Sequence, residues 1–513
     1  MTDLRTLERW IGTVLAPEVR VPGTIASKTE IAPSRAYLER FPPAFITAFG
    51  RTPAGAGQLA QLIARVRATC AELGTPPPAA AVDLEQGAGL HFAGATRFPP
   101  ALALAAAACA DEPDQLDWIL AAGDATAREA RALGAELVLA PVADVNTERD
   151  NPIIATRSFG DEPRAAGERA LAFQIGLRSG GAGACAKHFP GHGDTSRDSH
   201  AELPRVGADL ATLRSRELAP FRRLIEHGVE TVMIAHLDVP ALTGEPGCPT
   251  SLSRAAIEGT LRGELGFRGV VVSDAMNMGA LASFAPRYVR ALAAGIDLLL
   301  CPHDPQAAAE ELLEGVQRGE LDPARLAEAA GRVAALRERL RSVTAAAPAP
   351  AQARELAARL ADHSLRISPV EWRPDPAARC RLAPSVPPPE IPEVAEGLAE
   401  LARAVGEAAG GYELIPVLCE ARAGRGRYSL RPEELAELES RLAAARASGQ
   451  RVALVWFGSP QSLPGRLWSS VPVVLALAPT PPQMQAVARW VERLAGTGGG
   501  DSRTVRRLPA ALG

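Results

Sequence analysis

Between residues 75 and 340 the chain alternates two hydrophobic patterns. Short apolar and β-branched runs recur at AAAVD (79–83), AELVLAPVAD (135–144), GACAKHF (183–189), VETVMIAH (229–236), RGVVVSD (268–274) and GIDLLLCP (295–302). Runs of this kind read as strands covered on both faces. Between them lie amphipathic stretches such as ADLATLRSRELAPFRRLIEHG (208–228) and SRAAIEGTLRGELG (253–266). Their apolar residues return at helical spacing. In the second stretch Ser253 is a natural N-cap and Gly266 a natural stop. Strand followed by helix, repeated over this length, predicts a parallel α/β architecture, most economically a (β/α)8-type TIM barrel over residues 1–340.

Beyond that span the pattern changes. TAAAPAPAQA and RLAPSVPPPEIPE mark residues 341–395 as linker or irregular structure. GYELIPVLCE (411–420), RVALVWFG (451–458) and VPVVLALAP (471–479) then read as strands separated by helical patterns. They predict a smaller α/β, sandwich-like domain over 396–513.

Composition narrows the function classes. With 47% hydrophobic and 22% charged residues, the 513-residue chain is ordinary for a soluble globular protein. A net charge of −4 argues against nucleic acid or an anionic membrane as partner. The longest apolar run, ALALAAAACA (101–110), is too short to span a bilayer, and the N-terminus shows no signal-peptide core. The seven cysteines are an odd number without paired spacing, so a reducing, cytoplasmic address is expected.

Polar residues fall in a register with the strands. Asp83, Asp144, Lys187 with His188, His236 and Asp274 each stand at or just past the end of a predicted strand. In a barrel that rim is where sites are built. The densest stretch is AKHFPGHGDTSRDSH (186–200), which holds three of the eight histidines. It also holds Lys187, one of two lysines in a chain that otherwise uses arginine, the other being Lys28. A compact ammonium where the chain could have placed a planar fork suggests a crowded pocket.

Three chemistries compete for this stretch. His188 and His192 have the i, i+4 spacing of a zinc helix, but Pro190 and Gly191 between them break a helix. PGHGD lacks the GxxxxGK[ST] spacing of a phosphate loop. The third is acid/base work. Asp198 beside His200 fixes the imidazole tautomer and tunes it near neutrality. Asp274, at the end of a strongly apolar strand, supplies a carboxylate that could act as nucleophile. Neither a metal nor a cofactor is expected.

KHFPGHGDTSRDSH together with GVVVSDAMNM resembles glycoside hydrolase family 3, in particular its β-N-acetylglucosaminidase branch. The resemblance continues through APVADVN (140–146), NPIIATRSFG (151–160), MIAHLDVPAL (233–242), TSLSRAAIEGTLRGELGFRGVVVSDAMNM (250–278) and AGIDLLLCPHD (294–304). GGGDSRTVRRLPAAL (498–512) is similar to the closing segment of that family's second domain. The resemblance implies a retaining exo-β-N-acetylglucosaminidase working through a covalent glycosyl-aspartate. It implies Asp274 as nucleophile, His200 as acid/base and Asp198 as its partner. It implies Asp83, Arg157, Lys187 and His188 as holders of the sugar hydroxyls, and a Gly/Pro-rich loop that lets His200 move over the bound sugar. The implied substrate is a small β-GlcNAc glycoside, foremost a muropeptide fragment such as GlcNAc linked to anhydro-N-acetylmuramic acid. Family members commonly read DQEGGRV where this chain reads DLEQGAGL (83–90), so Ala88 stands where an arginine is expected. Alternatives are a β-glucosidase of the same family, whose acid comes from the second domain, and a β-GlcNAc phosphorylase, since a neutral imidazole tolerates an anionic acceptor. A metal-dependent hydrolase and a non-catalytic cell-wall sugar binder are further alternatives.

Overall fold

A computed structural model of the chain describes residues 2–21, 30–49, 52–108, 116–368, 380–386, 392–405, 412–419, 430–464, 467, 471–478 and 480–496. Lys28 and the closing segment 498–512 lie outside the described residues. The chain divides into two compact units. The first comprises 1–97, 119–147 and 158–353, and the second comprises 98–118, 148–157 and 354–513.

The strands of the first unit are β1 (Leu15–Ala16), β2 (Glu18–Arg20), β3 (Phe45–Phe49), β4 (Thr52–Gly55), β5 (Ala79–Val82), β6 (Phe92–Ala93), β7 (Leu137–Val138), β8 (Gly183–Phe189), β9 (Thr231–Ile234), β10 (Val270–Ser273) and β11 (Leu299–Leu300). Seven form one parallel sheet in the order β10-β9-β8-β7-β5-β3-β2, while β4 and β6 pair beside it. The two edges of that sheet are joined. β11 pairs with β1, a parallel bridge links Val272 of β10 to Leu298, and β1 runs into β2 across Pro17. Pro17 has no N–H to give, which splits the strand in two. Its carbonyl still accepts from Thr47 N–H at 2.9 Å. The result is an eight-fold parallel ring, the barrel expected from the sequence. One buried cluster takes Ala16, Phe45, Ala81, Leu137, Cys185, Met233, Val272 and Leu300, one residue from each member of the ring. The interior is therefore a packed core and not a pore.

Helices follow the strands as the patterning predicts. Leu210–Ser215 and Leu218–Glu226 follow β8, and Ala255–Glu264 follows β9. Ser253 Oγ accepts from Ala256 N–H at 3.3 Å, and Gly266 takes a left-handed φ of 71°. The helix is wound as a π-helix, and at its end Leu265 N–H reaches back five residues to the Thr260 carbonyl at 2.9 Å. Strands β1–β3 have no counterpart among the runs read from 75 onward. β1 and β2 are short, and Glu18 and Arg20 interrupt the apolar pattern of β2.

The second unit carries β12 (Arg366–Ser368), β13 (Cys380–Leu382), β14 (Tyr412–Leu418), β15 (Val452–Phe457) and β16 (Val473–Leu475). Their order is β12-β16-β15-β14-β13, parallel except for β12. Ile415, Val417, Leu454 and Trp456 face one apolar cluster; Leu414, Leu418, Ala453, Val455 and Phe457 face another. A sheet buried on both faces is the sandwich-like domain expected. Its boundaries differ from the expectation. Within 341–395 the helix Pro350–Ser364 replaces the start of the linker, because alanine read as low complexity is also the best helix former. Segments 98–118 and 148–157, from inside the span 1–340, also belong to this unit. Arg149 donates to the Leu463 carbonyl at 3.0 Å, and the Trp118 ring meets that of His363 with centroids 4.9 Å apart.

Candidate active site

Five strand ends of the first unit meet at the C-terminal rim of the barrel. Lys187, on β8, is 2% exposed and sits between two carboxylates. Its ammonium is 2.6 Å from Asp83 Oδ1 and 2.7 Å from Glu85 Oε1. A buried charge persists only when paired, and here one cation meets two anions. The compact ammonium expected from the rarity of lysine is the group at the centre. Glu85 was not singled out from the sequence. Its position two residues after Asp83, on a turn leaving β5, was the available signal.

His188 is the next residue on β8, and the peptide joining it to Lys187 is cis. Its Nδ1 lies 2.7 Å from Asp144 Oδ2, and its N–H also approaches that carboxylate. Asp144 further accepts from the His192 N–H at 2.7 Å. Burial pushes the Asp144 carboxyl up, but His188 and the N–H donors outweigh it and hold the group below the usual range. Asp144 is thus the anchor of the whole motif and not a free rim carboxylate.

Loop 190–205 carries the acid/base candidates. His200 Nδ1 is 2.8 Å from Asp198 Oδ1, which also accepts the His200 N–H at 2.8 Å. Asp198 is buried, whereas the His200 side chain is 53% exposed. The loop is tied down at several points. Thr147 N–H donates to the Gly193 carbonyl at 3.2 Å, and Asp194 meets Arg216 at 2.5 Å and the Thr147 hydroxyl at 3.1 Å. Its far end docks on the segment after β10, where Gly279 N–H donates to the His200 carbonyl at 3.2 Å. Two glycines are required by close approach. A Cβ on Gly193 would stand 1.8 Å from the Val145 carbonyl oxygen, and one on Gly279 would stand 2.6 Å from that of His200. Close packing, rather than mobility alone, accounts for small residues here.

Asp274 follows β10 directly. Its N–H donates to the Ile234 carbonyl at 2.9 Å, and its Oδ1 accepts from Ala275 N–H at 2.7 Å. Burial raises the carboxyl, but His188, His236 and the Ala275 N–H, with His200 after them, hold it below the ordinary value. The group is therefore an anion at neutral pH. His236, fully buried, is fixed between Ser251 Oγ at 2.7 Å and the Ala275 carbonyl at 3.3 Å. Burial lowers its pKa against the pull of Asp274.

The structure thus brings Asp83, Lys187, His188, Asp198, His200 and Asp274 onto one rim. Arg157 belongs to the second unit, where its guanidinium donates to the Ile153 carbonyl at 3.1 Å. Ala88 starts a short 3-10 turn, Ala88–Leu90, and is buried. Among the described residues, no group of three or more His, Cys, Asp and Glu side chains is arranged to hold a metal ion. No helix among them is long and apolar enough to cross a membrane.

The glycosyl hydrolase family 3 N-terminal domain matches residues 32–336. A β-hexosaminidase of Chromobacterium violaceum is 38% identical over 255 residues, covering 49% of this chain and 69% of that protein. One from Xanthomonas axonopodis pv. citri is 35% identical over 318 residues, covering 61% and 91%. Among solved structures, a family 3 β-N-acetylglucosaminidase from Paenibacillus sp. str. FPU-7 superposes with a TM-score of 0.77 at 26% identity, over 96% of this chain and 97% of that one.

Proposed function

We propose, for a chain that belongs to glycosyl hydrolase family 3, that this glycoside hydrolase is a retaining exo-β-N-acetylglucosaminidase acting on small β-GlcNAc glycosides. The observation that carries the reading is the pairing of a half-buried anionic Asp274 with an Asp198–His200 dyad docked beside it through Gly279. In the first step Asp274 attacks C1, and the bond from C1 to the leaving oxygen breaks. His200, whose Nδ1–H is held by Asp198, gives the Nε2 proton to that oxygen. The products are a glycosyl ester on Asp274 and a free aglycone. In the second step the neutral Nε2 takes a proton from water, the hydroxide attacks C1, and Asp274 is released as the carboxylate.

The Asp83–Lys187–Glu85 group would grip the sugar hydroxyls, the carboxylates as acceptors and the ammonium as donor. The 53% exposure of His200 gives the aglycone an open side, which suits exo cleavage of a muropeptide fragment. Five unpaired cysteines among the described residues suit a reducing, cytoplasmic address.

The test is turnover of nitrophenyl β-GlcNAc against nitrophenyl β-glucoside, each with and without inorganic phosphate and with a chelator. GlcNAc release with retained anomeric configuration, insensitive to chelator and phosphate, is the expected result. GlcNAc 1-phosphate as product would move the assignment to phosphorolysis, and preference for the glucoside would remove the N-acetyl specificity.

A further inference from the structure

We infer that His192 is a positioning residue for the acid/base loop, binding the segment that carries Asp198 and His200 to the same carboxylate that holds His188. The inference rests on the reading of His200 as acid/base.

The imidazole of His192 is 1% exposed and touches the loop on both sides. Its Nδ1 is 2.8 Å from Thr195 Oγ1, and its Nε2 is 3.0 Å from Ser199 Oγ. The directions of these bonds can be worked out. The Thr195 hydroxyl donates to the His192 carbonyl at 3.0 Å, so its oxygen accepts from Nδ1–H. Nε2 is then an acceptor, and the Ser199 hydroxyl donates to it. Both ring nitrogens are satisfied in the neutral form. Burial and the neighbouring His188 lower the His192 pKa to about 4, which keeps it in that form at neutral pH.

The backbone completes the connection. His192 N–H donates to Asp144 Oδ1, while Asp144 Oδ2 takes Nδ1 of His188. The rings of His188 and His192 meet edge to face with centroids 6.2 Å apart. Ser199, the far partner of His192, stands between Asp198 and His200 in the chain. The group that would hold the sugar and the loop that would move its proton therefore hang from one carboxylate through one imidazole. His192 itself touches no reacting atom in this scheme.

The test uses the two hydroxyl partners, because His192→Ala removes a buried ring and endangers the fold. Ser199→Ala and Thr195→Val each delete one bond to the imidazole, and Thr195→Ser keeps it. Each full-length variant is assayed on dinitrophenyl β-GlcNAc, whose leaving group needs no proton, and on a β-GlcNAc disaccharide, whose leaving group does. Azide is included in every assay so that release of the enzyme-bound sugar needs no base. The first two variants should lose about tenfold or more in kcat on the disaccharide, the worth of a lost buried hydrogen bond. They should stay near wild type on the dinitrophenyl substrate with KM little changed. Thr195→Ser should keep most of the activity, and neither loss should add to that of His200→Ala. Equal losses on both substrates, full additivity with His200→Ala, or no loss at all would each overturn the inference. The reading of His200 fails separately, if His200→Ala alone shows no dependence on leaving group.

Discussion

Replacing Lys187 by Met tests how the rim is held together. The substitution keeps an unbranched side chain of similar length and removes only the charge. It removes the ammonium that lies within 2.7 Å of both Asp83 and Glu85. At an effective dielectric of about 20 each contact is worth roughly 6 kcal/mol before the cost of desolvation. Breaking a buried pair by removing one partner costs about 3–5 kcal/mol net. Asp83 is 26% exposed and can turn partly to water, which places the expected loss at the lower end, about 3 kcal/mol. At about 2 °C per kcal/mol for a unit of this size, the calorimetric unfolding temperature of the barrel should fall by about 6 °C at pH 7. Lys187→Arg keeps the charge and should recover most of the stability. Turnover of a β-GlcNAc glycoside should stay low in both, because the planar fork does not fit the space of the ammonium. A shift below 1 °C would show that the ammonium is not what balances these carboxylates.

Asp274→Ala should abolish turnover of every glycoside, including activated aryl ones; a loss under tenfold in a burst-phase assay removes it as nucleophile. His200→Ala should lose roughly 10²–10⁴-fold on a disaccharide and far less in glycosylation by dinitrophenyl β-GlcNAc, with azide restoring release of the sugar as glycosyl azide. Equal loss on both substrates without azide rescue contradicts the acid/base role. Stability should depend on pH through His192, whose pKa falls from 6.5 unfolded to about 4 folded. A histidine held neutral contributes in full above pH 6.5, and on the order of 3 kcal/mol is lost as pH falls toward 4. Asp144 and Asp274, whose folded pKa values are depressed, contribute above their unfolded pKa and lose that contribution as pH falls further. Thermal melts from pH 8 to 4 should show the slope, and His192→Asn should flatten it above pH 4. Gly279→Ala should displace His200, since its Cβ meets a carbonyl 2.6 Å away, and should lower kcat more than it raises KM.

The barrel was legible wherever a strand is apolar along its whole length. GACAKHF is buried at every position of β8, and the run of valines in β10 leads straight to Asp274. The first ring member was hidden because Pro17, Glu18 and Arg20 break its pattern within a few residues. Asp198 and His200 were legible because they are neighbours in the chain, and a contact over two residues survives in any loop. Glu85 and the anchoring work of Asp144 were not, because they depend on chain segments far apart in sequence. Asp83 and Glu85 reach Lys187 across more than a hundred residues, and Asp144 reaches His188 across forty-four. Only the closure of the ring brings such groups together.

Residues 98–118 and 148–157 belong to the second unit although both lie inside the sequence of the first. The boundary between the units is therefore crossed several times and cannot be cut with one stop codon. A gene shortened after residue 353 would still encode Ala103, Arg149 and Trp118, but would delete the apolar cluster around Ala103, the Leu463 carbonyl that Arg149 holds, and the His363 ring against Trp118. Removing the second unit would require changes at 98–118 and 148–157 as well as a stop after 353.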